Sequence, residues 1–124
     1  DKAELPFTPE DVGTYSCHGM EPGNKEGESL SKINQDRGCI CYPFGPDCKH
    51  LGWSHAVFCV LDGHGRQGDK CSHFAMHKIT ELISEREEML SNNDDEIVKM
   101  FKEVFKQADD ALAADLTIDC NLSG

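Results

Sequence analysis

The sequence has no apolar run longer than six residues and no basic-then-apolar start. Neither a membrane span, which needs about 20 apolar residues, nor a signal peptide therefore lies within this stretch. Basic residues are also scarce, with 12 Lys and Arg against 23 Asp and Glu for a formal charge of −11. Nucleic-acid binding relies on clustered Lys and Arg, so no nucleic acid is expected as a partner, while the acidity leaves room for a cation site. The cysteines number seven, an odd count at irregular spacing. That pattern speaks against a secreted disulfide framework and for reduced thiols in an intracellular protein, with the cytoplasm expected first and the nucleus or another compartment left open. Internal repeats and low-complexity tracts are absent as well. At 124 residues the chain suits one small domain, and its start on Asp1 and stop on Ser123-Gly124 lead us to expect part of a longer one.

Residues 1–12 carry Pro6 and Pro9 among charges and read as an extended lead-in. Residues 13–18 are a candidate short strand, and 19–32 ("GMEPGNKEGESLSK") a loop suited to substrate selectivity from Glu21 to Ser31. The β-branched and aromatic segment 38–44 ("GCICYPF") predicts a strand broken at Pro43, and 45–54 a turn or hairpin connection on which Phe44 and Trp53 pack. Residues 56–61 are apolar throughout, the pattern of a strand covered on both faces. The spacing of Ala75, Ile79, Leu82, Ile83 and Leu90 predicts one amphipathic helix over 69–90. Asn92 and Asn93 then offer a cap, Asp94, Asp95 and Glu96 a first turn of favourable sign, and a second helix presents Ile97, Phe101, Val104, Phe105, Ala108 and Leu112 on one side. Strands followed by two helices are not the alternating order of a doubly wound sheet.

Between strand and helix lies Gly63-His64-Gly65-Arg66-Gln67-Gly68, which spells the dinucleotide-binding pattern G-x-G-x-x-G. A nucleotide fold would end a second strand on an acid about 20 residues later, yet that position falls on Glu81 or Glu85 inside a helix. Asp62 would repel a pyrophosphate unless a cation lay between them. The P-loop pattern fails too, because Asp69-Lys70 follows Gly68. A metal site uses the same residues better: Asp62 ends a rigid strand, and the Gly63 carbonyl can approach the same ion. Asp36 stands at the mouth of the preceding strand and would converge with Asp62 if the two strands are neighbours. Two such carboxylates repel unless a divalent ion neutralises them.

The segments "KINQD" at 32–36 and "VFCVLDGHGRQGD" at 57–69 resemble the N-terminal motifs of the metal-dependent (type 2C, PPM) protein serine/threonine phosphatases. The resemblance runs from about Gly13 to the end and covers roughly the first half of that family's domain, so residues 13–124 are expected to be its incomplete N-terminal portion. It implies an α/β (α+β) sandwich of two packed antiparallel sheets flanked by helices. It also implies two Mn²⁺ or Mg²⁺ ions, hydrolysis of phosphoserine and phosphothreonine on phosphoprotein substrates by a metal-activated water, and no protein nucleophile. Carried over residue by residue, it makes Asp62 a metal-bridging carboxylate, Gly63 a carbonyl ligand, Asp36 a second carboxylate, and His64 the acid that protonates the leaving alkoxide. A cysteine-type phosphatase is disfavoured separately, because no Cys-x5-Arg occurs.

Two departures stand out. Where many members place a phosphate-binding Arg or Lys, this chain has Ser31, with Lys32 next to it as a possible substitute. The family's later aspartates have no counterpart before Gly124, so the isolated 124 residues are expected to be inactive. The alternative is a phosphatase-like scaffold or binding module with an incomplete metal site. Other constellations carry quieter readings. Cys39 and Cys41 with Cys48 and His50 could suggest zinc but lack knuckle spacing. His73 and His77 share a helix face and could chelate a transition metal, although Phe74 stands where a zincin needs its glutamate.

Overall fold

Strand β4 (His55–Leu61) pairs antiparallel with β3 (Arg37–Phe44), with Arg37 opposite Leu61, Cys39 opposite Cys59 and Cys41 opposite Val57. The computed structural model describes residues 10–44 and 55–124. Side chains alternate across a strand, so Cys41, Val57 and Leu61 face the core while Gly38, Ile40, Phe58 and Val60 fall on the opposite face. The expectation that 56–61 is covered on both faces is corrected here, since Phe58 and Val60 are 58% and 89% exposed. Pro43 does not end β3. The ladder shifts register between Cys41 and Phe44 and resumes with Phe44 opposite His55, as a residue without an N–H requires. The expected 45–54 connection, with Trp53, lies outside the described residues.

A second, smaller sheet differs from the sequence reading. The expected loop folds back as a hairpin, β1 (Met20–Pro22) against β2 (Ser29–Ser31), closed by Gly23 N–H donating to the Glu28 carbonyl at 2.8 Å. Gly27 turns the corner at φ +77°, a conformation open to glycine. Residues 13–18, expected as a strand, form none; Ser16 instead accepts from Asn34 Nδ2 at 2.6 Å.

Helix α1 (Gly68–Ser84) lies on the inner face of β3 and β4 and also packs against α2 (Asp94–Ala114). It stops six residues short of the expected end. Past Ile83 the sequence offers Arg86, Glu87 and Glu88 where a buried stripe would continue, so the chain leaves the helix at an extended Arg86. A 3-10 turn (Glu87–Leu90) then brings Met89 into the core. Arg86 pins this corner to α2, pairing with Glu103 and donating to Gln107 Oε1 at 3.2 Å. Asn93 caps α2 as expected, its side chain accepting from Asp95 N–H at 3.1 Å.

The core joins Phe44, Ile79, Ile83, Met89, Met100, Val104 and Ala108, with Ala75, Leu82, Ile97 and Phe101 packed around them. Met100, at 1% exposure, was not part of the expected face, and Phe105, which was, is 58% exposed. Phe105 sits one position, about 100°, round the helix from the buried Val104, at the flank of the apolar stripe. Antiparallel sheets and helices together make the chain an α+β fold.

Candidate metal centre

Asp36 and Asp62 each stand one residue beyond the last register pair of the sheet, Arg37 with Leu61. Two neighbouring strands therefore deliver both carboxylates to the same end. By the same alternation, both belong to the outer face with Gly38, Ile40, Phe58 and Val60. Together these residues line a groove of about 750 Å³ whose other wall is the lead-in from Val12 to Cys17. Among the described residues no lysine or arginine pairs with either carboxylate; Asp62 meets only His64, whose Nδ1 lies 3.5 Å from its Oδ1. Both side chains are largely open to solvent, at 73% for Asp62 and 75% for His64.

The segment that presents Asp36 is held by its own neighbours. Asn34 Oδ1 accepts from the Asp36 N–H at 3.1 Å, and the Arg37 guanidinium spans the carbonyls of Asn34 and Asp36 at 2.8 and 2.7 Å. Gln35 ties this segment to the glycine turn by donating from Nε2 to the Gly65 carbonyl at 2.6 Å. Its own carbonyl accepts from Ser72 Oγ at 2.5 Å, and Ser72 is buried at 3% exposure in the first turns of α1. Sequence reasoning gave no role to Asn34, Gln35 or Ser72. The first two were inside the quoted "KINQD", and the signal was their amide chemistry beside a carboxylate.

The three glycines of G-x-G-x-x-G are spent on backbone packing. A Cβ on Gly63 would run into the carbonyl oxygens of Gln35 and Gly68, and one on Gly68 would come within 2.7 Å of the Gly63 carbonyl carbon. Gly65 has φ +84° and lies against Leu122 and Ser123. Two of the turn's amides, those of His64 and Gln67, are already engaged. The His64 N–H donates to the Gly124 carbonyl at 2.6 Å, Gly124 N–H returns to the His64 carbonyl at 3.1 Å, and Gln67 N–H donates to Ser123 Oγ at 2.9 Å. These bonds, with the close backbone packing of Gly63 and Gly68, argue against a phosphate-cradling nucleotide loop, and they make Ser123-Gly124 a partner of the turn.

The remaining sites are not joined to this one. Lys32 is exposed and donates from its backbone to the Gly19 carbonyl at 2.9 Å, and it does not line the groove. Cys39 and Cys41 are neighbours, with sulfurs 3.9 Å apart; Cys48 and His50 lie outside the described residues. Burial pushes the thiol pKa of Cys39, Cys41 and Cys59 up, and that of Cys71 likewise, although only Cys71 is fully buried and the other three are half-buried. Among the described residues no three His, Cys, Asp or Glu side chains converge as a ready metal cluster. What the groove does hold is two carboxylates, Asp36 and Asp62, whose oxygens are hard donors.

No family model matches the chain, and no solved structure matches it. It is 31% identical over 99 residues to a protein of Arabidopsis thaliana named probable protein phosphatase 2C 35; the aligned part makes up 78% of this chain and 25% of that relative. The chain spans about a quarter of the length of the curated relative it matches, and its sequence is similar to part of a type 2C protein phosphatase.

Proposed function

We propose that these residues are the front part of a metal-dependent protein serine/threonine phosphatase, acting on phosphoprotein substrates in an intracellular setting. One observation carries the reading: Asp36 just before β3 and Asp62 just after β4 flank the same end of the paired strands and line one groove, with Gly63 buried at the same turn and His64 beside Asp62. Asp36, Asp62 and the Gly63 carbonyl would hold Mg²⁺ or Mn²⁺, two ions in the complete domain. Bound there, the ions would supply an activated water and charge neutralisation for the phosphoryl group. His64 lies with Nδ1 3.5 Å from Asp62, which lines the groove, an exposed imidazole placed to donate a proton to the departing serine or threonine oxygen. Gln35, Ser72 and the glycine packing hold the two carboxylates in register across the strand ends. Lys32 is a phosphate-binding residue only if its side chain swings toward the groove.

Three oxygen donors are half of the octahedral shell that these cations take. The isolated 124 residues are accordingly expected to bind metal weakly and to turn over no substrate. The lack of a converged cluster among the described residues favours, as the second reading, a phosphatase-like scaffold. Hydrolysis of a phosphoserine peptide by the full-length protein, with Mn²⁺ and with chelator, separates the two. The enzyme reading expects metal-dependent turnover that falls at least about a hundredfold in Asp62→Asn, beyond the usual loss for an outer-shell metal partner. Folded protein without turnover in any arm supports the scaffold.

A further inference from the structure

A second groove, of about 900 Å³, runs along the exposed side of α1 and is closed by Ala111, Thr117 and Ile118 near the end of α2. It contains His73 and His77, both solvent-exposed, with ring centroids 4.6 Å apart in an edge-to-face contact. Four-residue spacing places successive side chains one above another on a helix, and here that row runs Asp69, His73, His77, Glu81, all four lining the groove. The backbone beneath is rigid, because Cys71, Ser72, Ile79 and Ile83 are buried on the opposite side of α1. Two cations of the groove are engaged already: Lys78 with Glu81 at 2.9 Å, and Arg37 with the carbonyls of Asn34 and Asp36.

We propose that His73 and His77 form a two-imidazole chelate for a borderline divalent transition metal such as Zn²⁺, with water completing the shell. The adjacent rings need only side-chain rotation to share one ion. Imidazole nitrogen selects Zn²⁺, Ni²⁺ or Cu²⁺ over Mg²⁺ and Mn²⁺, whereas the Asp36–Asp62 pair offers oxygen alone. The two sites also lie on opposite sides of the sheet, so one protein would sort hard and borderline metals by face. This site does not depend on the phosphatase reading.

The test is a Zn²⁺ titration by calorimetry of the full-length protein in saturating Mg²⁺, for wild type, His73→Ala, His77→Ala and Asp62→Asn. Co²⁺ absorption is recorded in parallel to identify the donor atoms. Both histidines are exposed, so the alanine variants are expected to fold, and circular dichroism checks this. The expected result is one Zn²⁺ per chain in wild type and in Asp62→Asn. Affinity falls at least about tenfold when either histidine is removed, and the Co²⁺ spectrum shows no sulfur charge-transfer band. Zn²⁺ binding that survives both histidine variants, a sulfur band, or no binding by wild type overturns the proposal.

Discussion

On the inner face of the β3–β4 sheet, Cys41, Val57 and Leu61 pack against the helical core. On the outer face of the same two strands Phe58 and Val60 are 58% and 89% exposed, and Asp36 and Asp62 stand at the end. One strand thus serves two purposes by alternation, with every second residue given to stability and the others to the groove. The faces meet at the turn from Gly63 to Gly68, where carboxylate, histidine and helix start are brought within a few residues by backbone contacts no side chain could share. The difference teaches that an apolar run can be half core and half site wall. Composition alone does not tell these apart.

The strongest way to break this contrast is at the turn itself. Gly63→Ala puts a Cβ into the Gln35 and Gly68 carbonyls, and the expected cost is about 4 kcal/mol or more, because the clash is with backbone on both sides. Urea unfolding measures it; a loss under about 1 kcal/mol would show that the turn yields easily. The two faces are compared directly by Met100→Ala and Val60→Ser in the 124-residue chain. Met100 is 1% exposed and its truncation should cost about 3 kcal/mol, whereas Val60→Ser should stay within about 0.5 kcal/mol. Equal losses would mean that the outer face is covered after all.

The smallest effect sharpens the contrast chemically. Desolvation by burial, the largest cause for each, lifts the thiols of Cys39, Cys41, Cys59 and Cys71 above the ordinary 9.0. A raised thiol pKa leaves less thiolate at any given pH. Iodoacetamide at pH 8 should therefore label exposed Cys17 first, and those four more slowly until the pH is raised or the protein unfolds. Labelling of Cys59 as fast as Cys17 in folded protein would contradict the protection expected of its half-buried thiol.

Much of this was legible in the sequence because the signals were local. The paired strands followed from "GCICYPF" and "AVFCVL", α2 from its Asn93 cap and apolar stripe, and the neighbourhood of Asp36 and Asp62 from motif order and short connection. The misses were of another kind. The hairpin β1–β2 depends on backbone pairing, with all six strand positions open to solvent, Met20 and Leu30 included, so no burial pattern announced it. The early end of α1 follows the charged Arg86, Glu87 and Glu88, but the turn that then carries Met89 into the core is a tertiary matter. The bonds of Gln35 to Gly65 and of Gln67 to Ser123 join residues 30 and 56 positions apart. No window of local sequence contains them.

We propose that Asp36 and Asp62 act as one cation site. It is tested most directly by Mn²⁺ binding, read from loss of the free-ion electron paramagnetic resonance signal, in full-length wild type, Asp36→Asn, Asp62→Asn and the double variant. Shared ligation predicts that either single substitution removes most of the affinity and that the double adds little more, the non-additivity expected of residues that hold one partner together. Unchanged Mn²⁺ affinity in both single variants would contradict it.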